Sequence, residues 1–437
     1  MMRDDWVEIE LGKVCDICDH LRKPINSKER AKRIEGKKIS DLYPYYGATG
    51  QVGFIDDYLT DGEYVLIGED GAPFFDYTKN IAYMINGKTW VNNHAHILLS
   101  KFNNKFLLHY LNQFNFNGFV SGTTRLKLTQ GSLKKIPVKL APLHEQRAIV
   151  AKIEKLFSDL DNGIAILKAA KAKLDIYRQA VLKKAFEGEL TKAWREQRDL
   201  NGWKELMISQ IGEIVTGNTP SKKNEEFYSS HDYNFYKPTD LEAGHNVFKS
   251  IDGLSLKGFE NGRQAPENSI LVTCIGATIG KTGLIKSRGC FNQQINAIIP
   301  SDKYNPKYVY YQAIGIDFQT QIKNRASSTT LPILNKGKFS TLRINVCSME
   351  EQDQIVMEIE TRLSVCDKLA ESIDQSLEKS EALRQSILKK AFAGKLLSES
   401  ELTACRREPD WEPAQKLLER IEKDKSGRSG KKQVKNK

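Results

Sequence analysis

No run of 18 apolar residues occurs anywhere in the chain, so a helix crossing a bilayer is not expected. The opening MMRDDWVEIE carries acidic residues and no apolar core segment, so no secretory leader is expected and the protein reads as cytoplasmic. Cysteine is sparse and odd in number: seven, at 15, 18, 274, 290, 347, 366 and 405, which suits reduced thiols better than a disulfide framework. Cys15 and Cys18 form a CxxC with His20 nearby, but without a second close pair a structural zinc site is not expected. Catalytic signatures are missing as well. CIGATIGKTG at 274–283 ends like a phosphate-binding loop, yet the required first glycine would fall at Ile275, and a β-branched residue there cannot make the turn. NPKY at 305–308 has Lys307 where the amino-methyltransferase motif has a second proline, and no GxGxxG-type loop accompanies it; the other reading is a turn before the helical stretch YVYYQAI. HEQ at 144–146 does not extend to HExxH. Phosphate-loop hydrolysis, self-sufficient methyl transfer and zinc hydrolysis are thereby set aside.

What is present begins with length and charge. A chain of 437 residues implies about three domains. The net charge of +11 points to a polyanionic partner. Part of that excess lies in the terminal KDKSGRSGKKQVKNK, whose composition reads as a disordered end.

The chain repeats itself. LHEQRAIVAKIEKLF from Leu143 aligns without a gap on MEEQDQIVMEIETRL from Met349, an offset of 206 that also carries RQAVLKKAFEGEL from Arg178 onto RQSILKKAFAGKL from Arg384. Apolar positions at Ile149, Ile153, Leu156, Leu160, Ile164, Leu167, Leu174, Tyr177 and Val181 fall at spacings of three and four over most of the segment, which marks a helix with a seam. Ile355, Ile359, Leu363, Cys366, Ile373, Leu383 and Ile387 make a rougher stripe in the second copy, interrupted by Arg362, Ser376 and Ser380. Gly188 and Gly394 stop the two helices. Some 40 residues at about 1.5 Å each make a rod of roughly 60 Å that needs a partner, and the other copy is the obvious one. Glu145 and Glu351 read as acids complementing each helix N-terminus.

The segments ahead of the helices echo each other more faintly. Trp6 with Leu11–Val14 matches Trp203 with Ile211–Ile214; YVLI at 64–67 with Gly68 and Gly71 matches ILVT at 270–273 with Gly276 and Gly280. VNNHAHI at 91–97 matches FNQQINAI at 291–298, and SGTTRLKL at 121–128 matches SSTTLPIL at 327–334. The first-half counterpart of CIGATIGKTG lacks Gly-Lys-Thr, so a shared job is not phosphate hydrolysis. His94 and His96 alternate on one strand face where the second half has Gln294 and Asn296, a change that suits recognition better than metal binding. The expected fold is α+β: two α/β-type domains separated by two long helices in a pseudo-two-fold repeat, with boundaries at 1–141, 142–190, a linker 191–202, then 203–347, 348–397 and a basic, disordered tail 398–437.

On these motifs, above all PLHEQRAIVAKIE, SMEEQDQIVMEIE and the two RQ-x-x-LKKAF closings, the chain resembles the specificity subunit of a Type I restriction-modification enzyme from Trp6 to about Leu397. The resemblance implies two target-recognition domains joined by an antiparallel coiled coil, each domain binding one half of a bipartite asymmetric site in double-stranded DNA. It implies no catalysis by this chain. Two modification subunits would bind S-adenosylmethionine and methylate adenine, and restriction subunits would use ATP and Mg. The docking surface expected for them includes 182–186 and 388–392, with Phe186 and Phe392 as test positions.

Candidate DNA contacts are polar or basic groups in turn-rich stretches: Lys79, Lys88, Asn93, Thr124, Arg125 and Lys127 in the first domain, and Lys223, Lys237, Arg263, Lys281, Arg288, Gln293 and Arg325 in the second. The coiled-coil and docking candidates are Ile149, Ile153, Leu160, Leu167, Leu182, Phe186, Ile355, Ile359, Ile373, Leu388 and Phe392. The competing reading is a scaffold holding two protein-binding domains apart, with no DNA involved.

Overall fold

The apolar run YVLI at 64–67 lies in the strand Tyr64–Gly68 and is buried from Val65 on, whereas VEIE in Val7–Glu10 alternates and shows one face to solvent. Such strands build both halves of the computed structural model, which describes residues 3–76, 78–198, 200, 202–327 and 331–433. The chain divides into two units, 1–167 with 375–437, and 168–374. The long helices Leu143–Phe186 and Met349–Phe392 each contribute one part to either unit.

In the first unit, one sheet orders its strands Cys15–Ile17, Ala95–Ser100, Tyr64–Gly68, Ala82–Ile85, all antiparallel. A second sheet runs Gly50–Ile55, Tyr43–Gly47, Lys88–Val91, Thr60–Asp61, with a parallel pairing between Tyr43–Gly47 and Lys88–Val91. Val7–Glu10 pairs with Pro137–Leu140, which brings the domain's two ends together before the first long helix starts. Asn103 caps the helix Asn104–Gln113 by accepting the Phe106 N–H, and Phe106, Leu107, Tyr110 and Leu111 face the core. Ile149, Val150 and Ile153 join that core from one long helix, and Ile387, Leu388, Ala391 and Phe392 join it from the other. Arg384 pairs with Asp161 and lies over the Phe157 ring, so the two helices run antiparallel here.

The second unit repeats the plan. Its sheets order Gly212–Thr216, Ile295–Pro300, Ile270–Thr273, Thr282–Leu284, and Asp252–Leu254, Tyr233–Tyr236, Gly289–Phe291, Gln264–Ala265. The parallel pairing recurs between Tyr233–Tyr236 and Gly289–Phe291, and Lys204–Met207 closes on Arg343–Val346. Val181, Leu182 and Phe186 share its core with Ile355, Val356 and Ile359. Lys171 pairs with Asp374 and Arg178 with Asp367, again antiparallel. The α+β fold expected from the repeat is what the chain adopts. Among the described residues no helix is long and apolar enough to cross a membrane.

The segment after Leu397 departs from expectation. Read by composition as a disordered tail, it forms the helices Glu399–Arg406 and Ala414–Gln433, while 434–437 lie outside the described residues. Ala414, Leu417, Leu418 and Ile421 are buried against Val14 and Leu140. Those four positions make a short helical stripe that an average over the whole basic segment hides. Ion pairs Arg406–Asp5 at 2.7 Å and Lys152–Glu401 at 2.6 Å fasten the segment further. The linker 191–202 likewise holds a short helix, Lys192–Glu196.

His109 offers a test of packing in the first unit. Its ring meets Phe157 at 5.8 Å, and burial lowers its pKa from 6.5 to about 4. The folded chain thus binds fewer protons than the unfolded chain in that window, so stability falls as pH drops from 6.5 to about 4. His109→Phe should flatten this limb in urea unfolding midpoints measured against pH. A slope unchanged from wild type would contradict the assignment.

Candidate nucleic-acid interface

Each long helix opens on Glu-Gln, and the fold uses both side chains. Gln146 Oε1 accepts the Asn103 N–H at 3.1 Å while its Nε2 donates to the Ala141 carbonyl at 2.7 Å. Gln352 does the same with Asn305 and Cys347, both at 2.9 Å. Glu145 is fully buried and accepts the Trp6 indole N–H at 2.9 Å. Glu351 accepts from the Thr191 hydroxyl at 2.7 Å, from Arg195 at 2.6 Å and from the Trp203 indole at 3.2 Å. These acids are therefore anchors for the tryptophan that leads into each domain, beyond the helix-terminus role expected of them. The two anchors are unequal: Glu145 Oε1 has no hydrogen-bond partner, and burial raises that carboxyl's pKa.

Two Gly-bearing turns occupy equivalent places. In the first domain Glu69 N–H donates to the His94 carbonyl at 2.8 Å, Leu128 N–H to the Glu69 carbonyl at 2.7 Å and Gly71 N–H to the Leu126 carbonyl at 3.0 Å. In the second, Cys274 N–H donates to Gln294 at 2.7 Å, Leu334 N–H to Cys274 at 2.8 Å and Gly276 N–H to Pro332 at 3.0 Å. Gly71 and Gly276 have φ of +66° and +99°, where a side chain is strained. CIGATIGKTG thus joins two antiparallel strands, Ile270–Thr273 and Thr282–Leu284, whereas a phosphate-binding loop joins a strand to a helix. The Lys281 ammonium is held by Glu242 at 2.6 Å.

Around the first turn, several candidates converge. Arg125, 61% exposed, bonds Asp70 at 2.9 Å, and Lys127 pairs with Glu69 at 3.1 Å. Arg22 pairs with Glu69 and donates to the Asn93 carbonyl at 3.3 Å. Thr124 and Asn93 are exposed. Lys79 pairs with Asp76, and Lys88 lies 4.7 Å over the Tyr58 ring. In the second domain Gln293 Oε1 accepts the Thr219 hydroxyl at 2.6 Å, and the Arg263 N–H bonds the neighbouring Asn218. Arg288 stands over the Tyr233 and Phe259 rings at 5.3 and 5.5 Å, and Lys223 is exposed. Lys237 pairs with Asp252, and Arg325 donates to the Thr341 hydroxyl at 2.6 Å. Lys79, Arg125, Lys127, Lys237 and Lys281 already have acidic partners, which leaves Lys88, Lys223, Arg263, Arg288 and Arg325 as the basic candidates without an ion pair among the described residues. The 327–334 echo lies partly outside the described residues.

Two expectations change. His96 is 1% exposed, bonded between Asp19 at 2.7 Å and the Leu128 carbonyl at 2.9 Å, and Asn296 is 2% exposed, so neither is free for recognition. Leu182, Phe186, Leu388 and Phe392, expected on a docking surface, are core residues along with Ile149, Ile153, Ile355 and Ile359; Leu160, Leu167 and Ile373 are half-buried. NPKY is the expected turn into a helix: Asn305 caps Pro306–Ile314. Burial raises the pKa of the Cys15 and Cys18 thiols. Among the described residues, the group with metal-ligand spacing is His144, Glu408 and Asp410, and both its carboxylates are exposed.

One basic feature was not singled out from sequence. The helix Ser27–Ile34 buries none of its residues and carries Lys28, Arg30, Lys32 and Arg33. The signal was available as the charge run KERAKRIEGKK, residues 28–38.

A family model described as Type I restriction modification DNA specificity domain matches residues 3–174 and 201–379. The specificity subunit of the Escherichia coli Type I restriction enzyme EcoBI is 25% identical, covering 99% of this chain and 94% of the relative. The corresponding EcoDI subunit is 24% identical, with 98% and 97% covered. Among solved structures, a chain from work on complex assembly and conformational transition of the type I R-M system matches with TM-score 0.68 at 17% identity, over 91% of this chain and all of that one. The HsdS subunit of Thermoanaerobacter tengcongensis matches with TM-score 0.55 at 17% identity, over 90% and 98%.

Proposed function

The chain belongs to the Type I restriction modification DNA specificity family, whose part in the system is DNA recognition without catalysis, and from that premise we propose that each domain reads one half of a bipartite, asymmetric duplex site. The carrying observation is the duplicated domain plan: the same strand order and the same pinned turn recur with different side chains at the turn, Asp70 and Arg125 in one copy, Ile275 and Lys281 in the other. Equal frames with unequal surfaces suit two different half-sites. The antiparallel helices set the spacer between halves. Side chains reaching base edges in the major groove give specificity, and Lys and Arg on phosphates give affinity.

Two modification subunits carry S-adenosylmethionine and methylate adenine, and restriction subunits bring ATP and Mg. They dock on the long helices through apolar side chains left bare: Ile166 and Leu383 in the first unit, Ile176 and Leu369 in the second, all 49–70% exposed. Ile176→Glu should weaken assembly with the modification subunits while leaving helix content unchanged. Full assembly of this variant would remove the surface from consideration.

Genome-wide mapping of adenine methylation, with the gene intact and deleted, tests the whole reading. Deletion should erase one two-part motif. If every methylated motif persists in a strain whose modification subunits are expressed, the scaffold reading takes its place.

A further inference from the structure

The first domain carries a concentration of positive charge that its counterpart lacks. Residues 22–38 hold eight Lys or Arg and two Glu, a net +6 in a chain whose total is +11. The equivalently placed stretch of the second domain, 218–229, holds two Lys and two Glu. Both stretches lie between the strand that begins the first sheet, Cys15–Ile17 or Gly212–Thr216, and the strand Tyr43–Gly47 or Tyr233–Tyr236 of the second. The difference between the copies is therefore local.

In the first domain the stretch forms the helix Ser27–Ile34, capped by Asn26 accepting the Glu29 N–H, and no residue of the helix is buried. An eight-residue helix in water is marginal, so something other than an apolar face holds it. Its inward side chains supply the hold. The Arg30 guanidinium sits 4.6 Å from the Tyr45 ring, and that of Arg33 sits 5.0 Å from Trp90 and donates to Asp56 at 2.6 Å. Tyr45 and Trp90 are buried, and Lys37 also pairs with Asp56, at 2.7 Å. Cations thus seat the helix on the sheet.

The outward side chains are different. Lys28 and Lys32, one helical turn apart, share a face, and with Lys38 they are exposed and pair with no acidic side chain among the described residues. Unpaired ammonium groups on a firmly seated helix and on the segment just after it are pre-placed point charges, suited to phosphate oxygens rather than to base edges. We infer that this helix and the segment that follows it are a phosphate-binding strut: Lys28 and Lys32 on the helix, and Lys38 four residues past its end, grip the DNA backbone beside the half-site read by the first domain, supplying sequence-independent affinity that the second domain does not match. The inference rests on the DNA-reading function proposed above.

The test compares the full chain with Lys28→Ala/Lys32→Ala/Lys38→Ala and with the same three positions changed to Arg. Binding to a mixed-sequence duplex and to a duplex carrying the mapped motif is followed by fluorescence anisotropy from about 50 to 200 mM salt. The Ala variant should lose up to about 3 from the slope of log affinity against log salt, roughly 0.9 per phosphate contact, with its preference for the motif unchanged; the Arg variant should keep the slope. A steep wild-type slope that the Ala variant retains overturns the strut and leaves DNA reading intact. Loss of motif preference in the Ala variant also overturns it, because the lysines would then be reading bases. No salt-dependent duplex binding by wild type defeats the DNA-reading function itself. Unchanged DNA binding with failed assembly of the modification subunits would reassign the patch to an acidic protein surface.

Discussion

Glu351→Ala should destabilise the second unit by about 3–5 kcal/mol, the range for removing one partner of a buried ion pair. The carboxylate is 2% exposed and accepts from the Thr191 hydroxyl, the Arg195 guanidinium and the Trp203 indole. Truncation strands three donors at once, and Arg195, 20% exposed, cannot simply turn to water. Glu351→Gln keeps one acceptor and should cost less. Hydrogen exchange of the full chain gives the local readout: protection around Trp203 and the paired strands Lys204–Met207 and Arg343–Val346 should fall in the Ala variant. Wild-type protection there would show that the anchor is dispensable. Glu145→Gln should behave otherwise. Burial is the largest influence on Glu145 and raises its pKa, so the ionised form is disfavoured in the folded chain and stability falls as pH rises through the folded pKa. With one hydrogen bond from Trp6 and Arg3 at 4.0 Å, the amide should be tolerated at neutral pH.

Phe392→Ala should cost the first unit about 3–5 kcal/mol, and Phe392→Asp should prevent that unit from folding. The ring is 3% exposed and meets Phe106 at 5.1 Å and Tyr110 at 5.2 Å, both edge-on. Circular dichroism and thermal melting of the full chain distinguish this from a docking defect: a Phe392→Asp chain with native melting that fails only to assemble would show that the ring faces a partner. The same reasoning applies to Phe186, edge-on to Tyr308 at 5.4 Å. These side chains form part of each domain's core because the helix ends they sit on are where the domains attach.

How far the sequence carried depended on how local each signal was. The long helices and their duplication were legible because the 206-residue offset holds without a gap and the apolar spacing is regular. The sheets were legible in kind, from runs such as YVLI and ILVT, but their order was not, since neighbours such as Tyr43–Gly47 and Lys88–Val91 are distant in the chain. Glu145 and Glu351 were seen as helix-start acids because their indole partners lie 139 and 148 residues away. Lys237 and Lys281 looked free for DNA for the same reason: Asp252 and Glu242 meet them only in the fold. The stripe at 414–421 was the avoidable miss, since its spacing is local and only its basic surroundings obscured it.

The helix Ala414–Gln433 lies against Val14 and Leu140, and this has a consequence for synthesis on the ribosome. The second unit is one contiguous stretch, 168–374, and can complete itself as soon as it emerges. The first unit cannot. Ile149, Ile153, Val14 and Leu140 wait uncovered through the translation of more than 200 further residues until 387–421 arrive to cover them. The domain made first is therefore finished last, and its half-built core is the stretch of the nascent chain most in need of a chaperone.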